Sequence, residues 1–348
     1  MARKILWASL ALAPIVFLAD FVFHVGDVAL FVLASAALVP LAWVIGEATE
    51  HAAHHTGPGI GGFLNATFGN APELIISLFA IHEGLTEVVR GSLTGSVVGN
   101  LLLVLGFSLL FGRGDQSVDR ESSFIWLALI LVATLLFLIP AVPGWDGDPE
   151  RHSLAVLSLP VSIALLLLYI GVTWWQLRRH RRMHERPEGM TAGVWSLSRA
   201  VVVLAVATVV TAVIAEILVG SIEAFAEKAH LSDFFVAAVI VAIVGNAAEH
   251  GGAVVVAYRG HVKLATEIAL SSAAQVAVFL IPAVTLLSWL IEPLALSFRP
   301  VELAAVAFST LIVGWFFVDR RSSNWHGAAL IGLYVVVAAA FFISGDRG

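Results

Sequence analysis

The chain has 348 residues, of which 59% are hydrophobic and only 13% are charged, and its mean hydropathy is +0.94. A soluble protein of this length needs a charged surface, so the composition excludes a soluble globular class and predicts a membrane protein. The absence of cysteine excludes disulfides and thiolate metal sites. The net charge of −6 says little about partners, because most of the surface of such a chain faces lipid.

Apolar segments long enough to cross about 30 Å of hydrocarbon occur along the whole chain. The first follows two basic residues, as in a signal peptide, but it lacks a small-residue cleavage site and is predicted to be a retained helix. We therefore predict an all-α polytopic membrane protein with about eleven transmembrane helices, near residues 5–23, 28–53, 59–82, 85–112, 123–143, 154–177, 198–226, 231–257, 264–291, 300–318 and 326–344.

The basic residues give an orientation for these helices. With a cytoplasmic N-terminus, fourteen of the nineteen lysines and arginines fall on the cytoplasmic side and five on the other side. A wrong helix count would scramble this bias. The cluster at 178–182 is predicted to be a cytoplasmic loop, either as a simple orientation signal or held near anionic lipid. A bacterial inner membrane fits the compact chain, and an organellar membrane is the alternative.

An internal repeat is the most informative pattern. Gly69-Asn-Ala-Pro-Glu73 and Gly245-Asn-Ala-Ala-Glu249 both read Gly-Asn-Ala-x-Glu within otherwise apolar segments. In each half the next span carries a polar stripe at helical spacing, and the separation from the motif glutamate to the stripe amide differs by a single position between the copies. The stripes are Ser92, Ser96 and Asn100 in the first copy, and Glu267, Ser271 and Gln275 in the second. Glu267 falls near a cytoplasmic helix end, where simple solvation would explain it.

The repeat divides the chain into an extra N-terminal helix at 1–27, a first five-helix repeat at 28–177, a basic cytoplasmic loop at 178–197 and a second five-helix repeat at 198–348. Five is an odd number, so equivalent helices must cross the membrane in opposite directions. Inverted repeats are typical of secondary transporters, which bind their substrate at the midplane between the halves.

Glu73 and Glu249 are predicted to bind the transported ion. A carboxylate at the bilayer centre costs on the order of 3 kcal/mol on insertion scales, so two at equivalent positions need a function. Gly69, Pro72 and Gly245 weaken the helical hydrogen bonds beside them. An opened turn frees backbone carbonyls, which a membrane tolerates only where they line a cavity.

The neighbouring amides of Asn70 and Asn246 complete a set of oxygen ligands. Such a set favours a hard divalent cation, Ca²⁺ above all, because Mg²⁺ releases its water reluctantly. With no cysteine and a single histidine beside the pair, Zn²⁺ and Cu⁺ are less favoured. When the metal leaves, the two carboxylates repel each other and would take up protons as a coupled pair. Competition for the same oxygens predicts exchange of Ca²⁺ for H⁺.

Five more side chains are candidates for supporting roles. His250 could relay protons or donate to Glu249, or it could be a packed histidine. Asn100 and Gln275 are assigned to a second shell or an ion path, with interhelical hydrogen bonding as the alternative. The same two interpretations apply to Ser96 and Ser271.

A second group of titratable residues lies near the end of the second span, comprising Glu47, Glu50, His51, His54 and His55. Spacings of three and four place several of them on one helix face. They could form a metal or pH sensor that gates ion access, or simply a polar helix end at the interface. The order of Glu and His is not that of a zincin motif, and no nucleophile accompanies them.

These motifs resemble the Ca²⁺/cation antiporter superfamily, and within it the cation/proton exchangers. The resemblance implies a ten-helix core with one extra helix, a midplane site made by Glu73 and Glu249, and movement of Ca²⁺ against H⁺. This chain departs from the family in its basic rather than acidic loop between the halves, in Ala242 where proline is frequent, and in Pro72 where another residue is usual. The stretches that carry the resemblance are 57–75, 95–106, 243–250 and 271–275.

The predicted function is that of a Ca²⁺/H⁺ antiporter exporting Ca²⁺, not an enzyme, with Ca²⁺, H⁺ and the lipid bilayer as partners. We expect no cofactor and no nucleic-acid partner, and a homo-oligomer is compatible with the sequence. The alternatives are a Na⁺-coupled or broader-specificity exchanger, which would need extra Na⁺ ligands, and an intramembrane metalloenzyme that uses the histidine cluster. A nucleotide-driven pump is disfavoured, because the chain carries no phosphate-binding loop.

Overall fold

The computed structural model describes residues 2–113, 117–181, 194–318 and 323–346, which contain helices and no β-strand. Three π-helical segments interrupt the α-helices, at Gly99–Val104, Val236–Val241 and Val276–Leu280. The α-helices are α1 Ala2–Ser9, α2 Leu12–Phe21, α3 Asp27–Gly69, α4 Ala71–His82, α5 Thr86–Val98, α6 Leu105–Phe111, α7 Arg120–Gly144, α8 His152–Arg181, α9 Leu197–Gly220, α10 Ile222–Ala229, α11 Asp233–Phe235, α12 Ala242–Gly245, α13 Ala247–Tyr258, α14 Val262–Gln275, α15 Ile281–Ser288, α16 Pro300–Phe316 and α17 Asn324–Ser344.

Within the described residues, seven helices are long and apolar enough to cross a membrane, or eight if one bent pair is counted as a span. Three shorter apolar helices fall inside other predicted spans, at Ile5–Phe21, Ala71–His82 and Pro300–Phe316. The predicted all-α class is therefore correct. Side chains of the basic cluster at 178–182 lie outside the described residues.

Helix α3 is helical from Asp27 to Gly69 but cannot be straight. A Cβ placed on Gly61 would lie 3.0 Å from the Cβ of Ala53. Eight residues of a straight helix rise about 12 Å, so the chain must reverse direction between these two residues. The reversal falls in the gap that the sequence predicts between the spans at 28–53 and 59–82.

The two motifs align without a gap, so Gly69 corresponds to Gly245 and Glu73 corresponds to Glu249. We call this difference in residue number the motif offset and use it to match other positions. Under the motif offset, the reversal in α3 corresponds to the turn between α10 and α11. At that turn His230 has a left-handed backbone conformation with a φ of 57°. At that turn the segments Ile222–Ala229 and Asp233–Gly245 meet at a bend of 110°. The segments that lead to the two motifs therefore show the same order of helix, reversal and broken helix.

The halves approach closely where α5 crosses the segment that begins at α11. A Cβ on Gly95 would overlap the carbonyl oxygen of Ala238 and lie 2.7 Å from its carbonyl carbon. One turn earlier, a Cβ on Gly91 would lie 2.9 Å from the ring of Phe234. Gly91 and Gly95 are four residues apart, which is the small-residue spacing that lets membrane helices approach to backbone contact.

We expect Gly95→Ala to destabilise the fold, because the added methyl group meets backbone that cannot move aside. Overpacking of this kind costs about 1–3 kcal/mol or more. The measurement is the thermal unfolding midpoint of the detergent-purified protein. Gly99→Ala is the matched control, one turn further along, where a Cβ would meet nothing within 4 Å. Equal midpoints for the two variants would contradict the close crossing.

Candidate ion-binding site

Both repeated motifs break a helix at their asparagine. Helix α3 ends at Gly69 and α4 begins at Ala71, with φ −103° and ψ 19° at Asn70 between them. Helix α12 ends at Gly245 and α13 begins at Ala247, with φ −88° and ψ 4° at Asn246. Both motifs therefore interrupt the helix at one residue, although the N–H of Asn246 still donates to the carbonyl of Ala242 over 3.3 Å. Each glutamate lies in the first turn of the helix after the break, rather than in the middle of a continuous helix.

Each glutamate side chain lies over the motif glycine of the other half. A Cβ on Gly245 would be 3.3 Å from Cγ of Glu73 and 3.4 Å from its Oε1. A Cβ on Gly69 would be 3.8 Å from Oε1 of Glu249. Because Gly245 is four residues before Glu249 on the same broken helix, these reciprocal contacts bring the two carboxylates into one region. Glu73 is 7% exposed and Glu249 is half-buried.

A chain of hydrogen bonds leads from α5 to Glu249. The amide of Asn246 donates to Oγ of Ser96 over 2.7 Å and to the carbonyl of Ala242 over 2.9 Å. The amide of Asn100 donates to Oδ1 of Asn246 over 3.4 Å and to Oγ of Ser272 over 3.0 Å. The Ser272 hydroxyl in turn donates to Oε2 of Glu249.

Several oxygens around the motifs have no protein donor. In the first motif, the amide of Asn70 donates to the carbonyl of Ala66 over 2.9 Å, as Asn246 does to Ala242. Within the described residues, Oδ1 of Asn70, Oε2 of Glu73 and Oδ1 of Asn100 are buried and accept no hydrogen bond. Buried acceptors without donors are costly, and a hard cation is one species that satisfies them.

Not every predicted residue joins this network. The Ser271 hydroxyl donates to the carbonyl of Ile268 in its own helix, and Gln275 takes part in none of the hydrogen bonds above. His250 is half-buried, and its Nε2 has no hydrogen-bond partner among the described residues.

Sequence reasoning missed Ser272. The polar stripe pairs Ser96 with Ser271, whereas the motif offset pairs it with Ser272. Under the same offset, Asn100 corresponds to Val276 rather than to Gln275. Extending the motif alignment without a gap would have identified Ser272.

Two histidines of the cluster contact a tryptophan in the segment that precedes α9. The His51 ring stacks on Trp195 at 4.5 Å between centroids, and Nε2 of His55 lies 2.8 Å from the Trp195 carbonyl oxygen. Glu47 lies 3.9 Å from His51. The described residues contain no group of three or more histidine or acidic side chains that could hold a metal ion, so a metal sensor gains no support here.

An all-helical membrane protein whose broken helices meet at paired acidic residues belongs to the structural class of secondary transporters. The chain matches the family described as sodium/calcium exchanger protein over residues 26–178 and 199–343. It therefore belongs to that family, which confirms the resemblance identified from the motifs.

Two curated relatives match most of the chain. The Ca(2+)/H(+) antiporter ChaA of Bacillus subtilis (strain 168) is 38% identical over 92% of this chain and 93% of that protein. The Ca(2+)/H(+) antiporter of Aphanothece halophytica is 34% identical over 92% of this chain and 91% of that protein. The solved structure of native YfkE is similar with a TM-score of 0.83 and 35% identity, covering 99% of this chain and 100% of that chain.

We expect Ser272→Ala to weaken cation binding, because it removes the hydroxyl donor that fixes Glu249 and the acceptor for Asn100. A hydrogen bond to a charged group contributes about 1.5–3 kcal/mol, which corresponds to roughly a tenfold or greater rise in Kd. Isothermal titration of the purified protein with CaCl₂ measures the effect. Ser271→Ala is the matched control on the neighbouring residue, and an equal loss in both variants would contradict this role of Ser272.

Proposed function

We propose that this protein is a secondary active transporter that exchanges Ca²⁺ for H⁺ and exports Ca²⁺ from the cytosol. The observation that carries the proposal is the reciprocal placement of Glu73 and Glu249, each at a helix break and each over the glycine of the other half. The names of the two curated relatives, both Ca(2+)/H(+) antiporters similar over nine-tenths of their length, support the same exchange.

In this proposal the two carboxylates bind Ca²⁺ directly, and the side-chain oxygens of Asn70 and Asn246 and carbonyls freed near Gly69 and Gly245 complete its coordination. Ca²⁺ accepts six to eight oxygen ligands in flexible geometry, which suits a site assembled from two broken helices. Ser96, Asn100 and Ser272 orient these ligands through their hydrogen-bond chain. His250 and Gln275 are assigned to the path of the ion or proton.

Proton coupling follows from the same pair of carboxylates. Two negative charges in a low-dielectric region repel strongly once the cation leaves, and binding of protons removes that repulsion. Ca²⁺ and H⁺ therefore compete for one site. If only the occupied or protonated site is exposed alternately to the two sides of the membrane, competition becomes obligatory exchange.

We propose further that the chain crosses the membrane eleven times, with a cytoplasmic N-terminus in a bacterial inner membrane. An extra helix at 1–27 precedes two inverted repeats at 28–177 and 198–348, joined by the basic loop at 178–197. The repeated order of helix, reversal and broken helix supports the two repeats. Five crossings in each repeat make them antiparallel, so the two motifs meet near the membrane midplane.

The central experiment is ⁴⁵Ca²⁺ uptake into proteoliposomes with an imposed pH gradient, acidic inside. We expect uptake that collapses when a protonophore is added and that does not require Na⁺, because protons and Ca²⁺ share the carboxylates. Uptake that depends on a Na⁺ gradient instead would indicate the Na⁺-coupled alternative.

The site variants are Glu73→Gln and Glu249→Gln, which keep the side-chain shape and remove the charge. Each is expected to lower uptake to the level of empty liposomes while the protein stays folded in detergent. Glu227→Gln is a control, because Glu227 is exposed on α10. Near-normal transport by either site variant would overturn the site.

The topology is testable with single cysteines, because the chain has none of its own. Cysteines at Ser198 and His261 are expected on the cytoplasmic side, and cysteines at Asp148 and Glu292 on the opposite side. All four positions are exposed. Labelling of intact cells with a membrane-impermeant maleimide should modify only the second pair. The same pattern in all four loops would contradict the inverted arrangement.

A further inference from the structure

Two glutamates outside the ion site accept hydrogen bonds that connect the halves. The first is Glu302 on α16, which is 1% exposed. Its Oε1 accepts a hydrogen bond from Oγ1 of Thr94 on α5 over 3.1 Å, and its Oε2 accepts from the backbone N–H of Arg299 over 2.7 Å. Both oxygens of this buried carboxylate are therefore satisfied.

The second is Glu267 on α14. Its Oε1 accepts hydrogen bonds from Oγ of Ser122 over 2.5 Å and from Nε1 of Trp126 over 2.7 Å, both on α7. One turn earlier on α14, Lys263 pairs with Asp119 at the start of α7 over 2.9 Å. Simple solvation, suggested by its position near a helix end, does not describe Glu267, because it connects two helices.

The two contacts join helices that correspond to one another under the motif offset. The separation of Trp126 from Glu302 along the chain equals the motif offset. The same offset relates α5 to α14 and α7 to α16. The chain therefore joins equivalent pairs of helices twice, with the carboxylate on α16 in one contact and on α14 in the other. The register is not identical, because Glu267 corresponds to Gly91, about one turn before Thr94.

Both contacts hold a helix that supplies the candidate ion site. Helix α5 carries Ser96 two residues after Thr94, and α14 carries Ser272 five residues after Glu267. Within a helix these separations are fixed. The position of Ser272 relative to Glu249 on α13, and of Ser96 relative to Asn246, therefore depends on where α14 and α5 are anchored.

The surroundings argue against direct ion binding by either glutamate. The charge of Glu302 is balanced by the Arg299 guanidinium, whose Nε lies 3.7 Å away. Arg299 also contacts Glu87 over 3.5 Å, and Arg90 joins Glu87 to Glu150. The two donors to Glu267 from α7 are neutral. The helices are therefore joined by hydrogen bonds to the carboxyl oxygen and not by an ion pair with these donors.

We propose that Glu267 and Glu302 are positioning residues for ion exchange, which hold α14 and α5 against the opposite half and so keep Ser272 and Ser96 aligned with the site. The proposal rests on the proposed Ca²⁺/H⁺ exchange. It assigns the two residues a hydrogen-bonding role that does not require their negative charge. Under the proposed topology, the Glu267 contact lies toward the cytoplasm and the Glu302 contact toward the opposite face.

The test compares charge removal with acceptor removal in the proteoliposome assay. Glu267→Gln keeps a carbonyl acceptor for Ser122 and Trp126, and we expect a half-saturating Ca²⁺ concentration within about twofold of wild type. Glu267→Ala removes the acceptor of both hydrogen bonds, and we expect that concentration to rise about tenfold, the loss typical of two hydrogen bonds that do not depend on charge. Glu302→Gln likewise keeps an acceptor for Thr94 and Glu302→Ala removes it. Arg299 keeps its ion pair with Glu87 in both variants, so we expect the same two results.

A milder pair of variants guards against misfolding. Ser122→Ala removes one donor to Glu267, whereas Ser123→Ala removes a buried hydroxyl on the same helix that has no partner among the described residues. We expect Ser122→Ala alone to raise the half-saturating Ca²⁺ concentration, by about threefold. Unfolding midpoints in detergent show which variants remain folded.

Specific outcomes overturn the proposal. If Glu267→Gln loses as much as Glu267→Ala, the charge is essential and the residue acts in ion or proton movement. If the alanine variants and Ser122→Ala all have the half-saturating Ca²⁺ concentration of wild type, these contacts do not position the ion site. Absence of proton-driven uptake by the wild-type protein would instead refute the proposed function. The positioning role would then be tested separately, by comparing the Ca²⁺ affinities of the same variants in a titration.

Discussion

The constraint on which the rest of the structure depends is the burial of two carboxylates inside an apolar helical protein. Charge in such surroundings is tolerated only where polar groups or an ion compensate it. Here each carboxylate lies at the start of a helix and over a glycine of the other half. The N-terminal end of a helix favours negative charge through its free N–H groups, so the break itself stabilises the glutamate that follows it.

That constraint requires the two halves to approach closely. A side chain at Gly245 would press on Glu73, and a side chain at Gly95 would overlap the backbone at Ala238. These glycines therefore allow the two motif segments to approach each other closely. The π-helical segments lie in the same region, with Gly99–Val104 beginning beside Asn100 and Val276–Leu280 beginning after Gln275. Such segments are frequent at functional sites because they reorient side chains locally.

The sequence predicted what depends on local pattern. Apolar length predicted an all-helical membrane protein, and the repeated Gly-Asn-Ala-x-Glu marks two places where a helix is interrupted. It did not predict Ser272, the partners of Glu267 or the docking of Trp195 on His51, because these depend on which residues of distant segments meet. A polar pattern along a helix can be matched by either of two adjacent residues, whereas a hydrogen bond requires one particular residue. Ser271 and Ser272 differ by about 100° around the helix, and only one reaches the site.

The two motifs share a helix break at asparagine but differ in their side-chain contacts, and the difference falls on the two glutamates. Ser272 donates to Glu249, while its counterpart Ser96 accepts a hydrogen bond from Asn246. Asn100, whose counterpart is Val276, donates to both Ser272 and Asn246, so the amides of Asn100 and Asn246 together connect the two serines. Glu249 thus has a fixed hydroxyl donor, whereas Oε2 of Glu73 has none among the described residues. Ser272 therefore holds the carboxylate of Glu249 in one orientation, whereas the corresponding oxygen of Glu73 is left open to a ligand, so the two carboxylates are not interchangeable.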